Sequence, residues 1–346
     1  MKLKPLSHYN ASIGCQVTDI DLNSDDEIIE LGKVIANNAI VLVDKNITTN
    51  RLFDIMMQWG SPSKALFHDL VAQKKLSGKH WREIFLHLGY ITKDIEDQDL
   101  RSAVSVITYK TDAKNKPKGM FTHGELRWHS DQISAVDAPR VIGLQSVSDS
   151  VNSQTGFLCT HDAFNSLSDD LKSQIKELKC LHKWNEGVCA PGISAEQSKI
   201  LRLNMTPVDG LITPLYSKLS SGIEGVHMPT HTFDRFVGMS RAESDDFYRY
   251  LCKVIYNDKF VYTHNWTDGQ IMFMDQEITL HCRPTNVSAG SARNMARVIS
   301  YLNHLYPDDI PGQKFYTETG ELTLDEVIAL VDNRVKEEYN NIFPTV

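Results

Sequence analysis

The sequence predicts an α+β fold: a β core with helices packed outside it. Three observations carry this. Helical periodicity with capping pairs marks both ends of the chain. Short apolar runs of strand length fill the middle. No repeat, low-complexity tract or Pro/Gly/Ser linker divides the 346 residues. One β-rich enzyme domain can reach this size and bury a full core, so residues 1–346 are read as a single domain.

The elements follow in order. Residues 21–38 predict a helix, with Ser24 and Glu27 as a capping box and Ile28, Leu31, Val34 and Ile35 as its apolar stripe. Residues 39–44, AIVLVD, predict a buried strand, and 48–60 a second helix ending at Gly60. Within 61–120 only 104–109, VSVITY, is a clear strand; the flanking stretches are charged and turn-rich, and 61–120 is expected to be a variable lid or a disordered loop. Residues 166–178 predict a helix with Leu171, Ile175 and Leu178 on one face. Residues 238–255 predict another, capped by Ser240 with Glu243. Strands are expected at 269–275 and 294–302, and a C-terminal helix near Thr323 with Glu326 completing its capping box.

Composition narrows the function. A net charge of −8 with no long basic run disfavours nucleic acid and anionic membranes as partners. The six cysteines form no C-x-x-C and suggest neither a disulfide framework nor a zinc knuckle, which fits a reduced, cytoplasmic compartment. The N-terminus has no apolar signal region, and no membrane-length apolar stretch occurs. A small-molecule substrate is the expected partner, and a homo-oligomer stays open.

The chemistry centres on GELRWHSDQ, residues 124–132. His129 and Asp131 stand two apart, and on one strand they would point the same way. Two imidazoles and one carboxylate on one face of a metal leave three positions open, the pattern of non-haem iron. A distant histidine is still required. His281 offers it, six residues after Asp275 at the end of a short strand that follows the Asp268-Gly269 turn. A hydrogen-bonded structural histidine is the competing reading.

The order of the motifs resembles the family of taurine dioxygenase and 2,4-dichlorophenoxyacetate dioxygenase, Fe(II)/2-oxoglutarate-dependent oxygenases. RWHSDQ is similar to the family's Trp-His-Ser/Thr-Asp, and NSQTGFLCTHDAFNSLSDDLK to its threonine segment. HNWTDGQIMFMDQEITLHCRP is similar to its distal-histidine segment, and ARNMARVI to its R-x-x-x-R strand. The resemblance spans most of the chain. It implies a double-stranded β-helix (jelly-roll, cupin-like) core with flanking helices, and Fe(II), 2-oxoglutarate and O2 as cofactors. It implies His129, Asp131 and His281 as catalytic iron ligands, and Thr155 and Arg293 on the cosubstrate's distal carboxylate. A guanidinium fork suits that task.

Arg297 falls where taurine-oxidising members hold the substrate's anionic group. A structural ion pair, or an exchange of roles with Arg293, stays open. Glu125 stands where the family often has asparagine near the substrate, and with His123 and Arg127 beside it could meet a substrate ammonium; a solvent-facing carboxylate is the alternative. Two departures involve no metal ligand: Ser153-Gln154 replace the usual Gly-Gly, and Met274-Asp275-Gln276 replace Trp-Asp-Asn. The implied reaction is oxidation of an unactivated C–H bond of a small anionic, amino-acid-like molecule, with succinate and CO2 as coproducts. Hydroxylation, desaturation and oxidative cyclisation are all open. A zinc hydrolase on the same ligands and a non-catalytic binding protein on the same scaffold are the rival classes.

Overall fold

The structure, a computed structural model, describes residues 1–6, 12–60, 104–110, 113, 126–131, 140–183, 210–219, 221–230, 232–284, 293–307, 315–317, 320–322 and single positions from 326 onward. Most of the expected lid, together with His123, Glu125, Cys189 and the capping threonine Thr323, lies outside the described residues.

The chain begins with β1 (Lys2–Pro5), β2 (Cys15–Thr18), α1 (Asp25–Asn38), β3 (Ile40–Asp44) and α2 (Thr49–Trp59). Then come β4 (Val104–Thr108), β5 (Leu126–His129), β6 (Val141–Ser148), β7 (Gln154–Cys159), α3 (Thr160–Asn165) and α4 (Asp169–Glu177). Short strands follow: β8 (Lys179–His182), β9 (Leu211–Pro214), β10 (Tyr216–Lys218), β11 (Glu224–Val226) and β12 (Phe233–Phe236). α5 (Arg241–Ile255) leads into β13 (Val261–Asn265), β14 (Gln270–Asp275), β15 (Thr279–Arg283), β16 (Asn294–Ser300), β17 (Phe315–Thr317) and β18 (Gly320–Leu322).

Seven strands form the large sheet in the order β1-β2-β3-β14-β6-β16-β4, and four form the sheet β13-β7-β15-β5. Strand alternation explains how the large sheet is covered on both sides. Val41, Val43, Ile271 and Phe273 face α1 and α2, where they meet Leu31, Ile35, Leu52 and Ile55. Their neighbours Ile40, Leu42, Met272 and Met274 point the other way and pack on Phe157, Cys159 and Tyr262 of the four-stranded sheet. The far side of that sheet, through Leu158 and Leu280, is covered by Phe164, Ile175, Leu251 and Ile255 of α3–α5. Two sheets thus face each other with helices outside both, a mixed α/β architecture.

The caps largely follow the sequence. Ser240 and Glu243 form a reciprocal capping box on α5, while Thr48 and Ser168 cap α2 and α4. α1 departs from expectation. Ser24 accepts from the Glu27 amide, but the Glu27 carboxylate accepts from the Asp21 amide at 3.0 Å instead of closing the box. The N-terminal ammonium, 3.5 Å from the same carboxylate, adds to that pull. α1 and α2 are locked by the buried Trp59, whose indole donates to the Ile28 carbonyl at 2.7 Å. Gly32 makes the approach feasible, because a Cβ there would stand 2.7 Å from the Trp59 ring.

Candidate active site

The site lies between the two sheets. β5 places His129 opposite His281 of β15, and β15 in turn places His281 opposite Phe157 of β7. A bulge shapes the first pairing: His281 pairs with His129, but Arg283 pairs with Leu126, so β5 carries an extra residue over this stretch. Such a bulge re-aims side chains, and here Leu126 and His129 both line the pocket. Trp128 packs on the opposite side, stacked on Tyr256 at 6.3 Å between ring centroids. Gly156 admits the Trp128 indole, since a Cβ there would come within 3.0 Å of the ring.

Asp131 corrects one expectation. β5 ends at His129, so Asp131 does not share a strand with it and is aimed by a turn instead. The result is still convergent. One ligand atom from each of His129, Asp131 and His281 lies within 4.8 Å of the others. Asp131 Oδ1 stands 3.5 Å from His129 Nε2 and 3.9 Å from His281 Nε2. His129 Nδ1 donates to the Arg127 carbonyl at 2.7 Å, which leaves the Nε2 lone pair facing the cluster, the usual support for a metal-binding imidazole.

Electrostatics prepares these donors. Burial alone raises the Asp131 carboxyl, but Arg297, His281 and His129 outweigh it and hold the group well below the usual carboxylate range. Burial, with the neighbouring His129, Arg297 and Arg293, pushes His281 down to about 3, against the opposing pull of Asp131. At neutral pH the cluster therefore offers a carboxylate anion and, at His281, a neutral imidazole. That donor set fits a divalent cation.

A second group of residues sits beside the cluster. Thr155, 2% exposed, accepts from Trp266 Nε1 at 2.9 Å and from Arg293 Nη2 at 3.3 Å. A hydroxyl has two acceptor sites and one proton. Both acceptor sites are taken, so the proton is left to donate, and an incoming carboxylate fits it. Arg293 and Arg283 are both buried and line the same pocket. Burial, and then the nearby Arg283, lowers Arg293 to about 10, which leaves it a cation at neutral pH. The Arg283 guanidinium lies over the Tyr109 ring at 5.3 Å. This donor-rich end fits the distal carboxylate of a diacid.

The pocket brings together His129, Asp131, His281, Thr155, Arg293 and Arg297, enclosing roughly 450 Å³ with its mouth included. Arg297 donates through Nη1 to Asp131 Oδ2. Arg127 is exposed, and Glu125 lies outside the described residues. Sequence reasoning missed Arg283, Trp266 and Gln276. Arg283 was findable as the residue two after His281 on one strand.

Residues 65–299 match the family described as Taurine catabolism dioxygenase TauD, TfdA family. The chain belongs to this TauD, TfdA family. Among its relatives is the (S)-phenoxypropionate/alpha-ketoglutarate-dioxygenase of Sphingobium herbicidovorans, 22% identical over 176 residues. That match covers 50% of this chain and 61% of the relative. A taurine dioxygenase from Burkholderia xenovorans shares the fold at TM-score 0.62 and 16% identity, over 96% of this chain and 98% of that one. AAD-2 in complex with Mn(II) and N-oxalylglycine does so at TM-score 0.59 and 16% identity, over 86% and 96%. The TauD, TfdA assignment makes Fe(II), 2-oxoglutarate and O2 the cofactors against which the cluster and its donor-rich neighbour are read. Among the described residues no helix is long and apolar enough to cross a membrane.

Proposed function

We propose that the protein is a single-domain Fe(II)/2-oxoglutarate-dependent dioxygenase that oxidises a C–H bond of a small anionic, amino-acid-like substrate. The carrying observation is the convergence of His129, Asp131 and His281 beside a pocket end that offers Thr155 and Arg293. The two facing sheets support the jelly-roll form of the core. With 2-oxoglutarate, a bound ferrous iron would supply O2 activation and C–H oxidation, giving succinate and CO2 as coproducts.

The chain's residues do the rest. His129, Asp131 and His281 would hold the metal. Arg293 and the Thr155 proton grip the distal carboxylate of the diacid. Ile107, Ile142, Leu144 and Met274 give the pocket apolar walls that exclude water. Arg297 lines the pocket beside Asp131, and its guanidinium is assigned to the substrate's anionic group. Glu125, outside the described residues, is assigned by the family pattern to a substrate ammonium, with the exposed Arg127 near it in sequence. A zinc hydrolase would leave Thr155 and Arg293 without a task.

The test is a screen of anionic and amino-acid-like compounds with Fe(II), 2-oxoglutarate and O2, scored by succinate above the uncoupled background and by product mass. Gain of one oxygen atom means hydroxylation, and loss of two hydrogens means desaturation or cyclisation. No succinate under any condition would reject the reading in favour of a binding protein.

A further inference from the structure

Asp131 lies beyond the end of its strand, so pleating does not aim it. The turn after β14 does. Gln276 Oε1 accepts from the Asp131 amide at 2.6 Å, and the Gln276 carbonyl accepts from Ser130 Oγ at 3.0 Å. Two adjacent residues of the ligand turn are thus held by one residue, through its side chain and its main chain. Gln276 is 3% exposed and Ser130 2%, so neither bond competes with water.

Gln276 is itself anchored. Its amide donates to the Arg140 carbonyl at 2.8 Å. The preceding Asp275 accepts from Arg140 Nε at 2.9 Å, with both side chains buried. The following Glu277 accepts from Ser217 at 2.9 Å and lies 3.3 Å from His227 Nδ1. This buttress opens the segment that runs directly into β15 and His281. One rigid turn therefore ties the Asp131 arm to the His281 arm. Position 276 is also where the family pattern Trp-Asp-Asn, which Met274-Asp275-Gln276 resembles, would place asparagine, and here the longer glutamine side chain reaches the ligand turn.

We infer that Gln276 is the positioning residue for the carboxylate ligand, fixing the Asp131 main chain so that Oδ1 faces both imidazoles. This rests on the metal-site reading above. Gln276 touches no metal position itself; it acts through Asp131.

The experiment measures Mn(II) affinity of the full-length protein by the electron-paramagnetic signal of free Mn(II), with 2-oxoglutarate present. Gln276→Met keeps length and volume but removes the acceptor, and should bind Mn(II) about 10-fold more weakly, as outer support to a ligand typically does. Ser130→Ala removes the second bond with one atom and should lose about 3-fold, below the usual range of roughly 10- to 100-fold because the Gln276 side-chain bond to Asp131 remains. Thr213→Val serves as control. It breaks the 2.9 Å contact to His182 between β9 and β8, which belong to neither of the two facing sheets, and should lower stability without moving Mn(II) affinity. If Gln276→Met fails to fold, Ser130→Ala carries the test. Wild-type affinity in Ser130→Ala and in any folded Gln276→Met, or an equal loss in Thr213→Val, overturns the inference. No Mn(II) binding by the wild type overturns the metal-site reading beneath it.

Discussion

Replacing Thr155 with valine separates the cosubstrate seat from the metal site. The swap keeps the branched shape and removes one hydroxyl. In the native pocket that hydroxyl takes donors from Trp266 at 2.9 Å and Arg293 at 3.3 Å, leaving its proton for a carboxylate. A hydrogen bond to a charged group contributes about 1.5–3 kcal/mol, so the dissociation constant for 2-oxoglutarate should rise roughly 10- to 150-fold. The Trp266 indole also loses its acceptor in a buried place, which should cost about 1–3 kcal/mol of folding stability. The assay is titration of 2-oxoglutarate into the Mn(II)-loaded variant, followed by protein fluorescence, with Mn(II) affinity measured separately. Mn(II) affinity should not change. A 2-oxoglutarate affinity within twofold of wild type would refute the assignment of Thr155 and, with it, the placement of the distal carboxylate.

Other outcomes follow from the same geometry. Trp266→Phe keeps the ring but loses the donor that orients Thr155; it should weaken 2-oxoglutarate about 3-fold, roughly half of one neutral hydrogen bond, and leave Mn(II) affinity unchanged. Arg297→Ala should weaken substrate binding much more than 2-oxoglutarate binding, and equal losses in paired titrations would reject the substrate role. His264 gives a pH dependence. Burial holds it down at about 4 in the folded protein, against 6.5 when unperturbed, while its ring nitrogens contact Tyr262 at 2.9 Å and Gln270 at 3.0 Å. Its folded pKa is depressed, so the unfolded chain binds the extra proton between these values. Stability is then whole above pH 6.5 and falls as pH drops toward 4, by on the order of 3 kcal/mol from this residue. Denaturant unfolding of wild type and His264→Gln at pH 7 and pH 4.5 checks this: the wild type should lose more, and parallel losses would contradict it.

Much of the outer architecture was legible because local signals agreed. In α5 an apolar stripe and a reciprocal cap coincide, and in β3 and β14 a continuous apolar run announces burial on both faces. The His129, Asp131 and His281 cluster was legible through the order of the family-like motifs, since a His-x-Asp pair alone is expected by chance in a chain of this composition. What stayed hidden depends on pairing between distant segments. The bulge that turns Leu126 and His129 inward exists only in the register of β5 against β15. The aim of Asp131 is set by Gln276, 145 positions away, and was mistaken for strand alternation. Glu27 left its expected partner because the chain before Ser24 folds back to offer the Asp21 amide. The strands β8–β12 are three or four residues each, too short for periodicity to mark.

The most direct test is anaerobic. Fe(II) and then 2-oxoglutarate are added to the metal-free protein while the visible spectrum is recorded. The account predicts a weak charge-transfer absorption that saturates at one iron and one 2-oxoglutarate per chain, and that is absent from Asp131→Ala and His281→Ala. A wild-type protein that shows no such absorption, or variants that retain it, would contradict the claim that these side chains build an Fe(II)/2-oxoglutarate site.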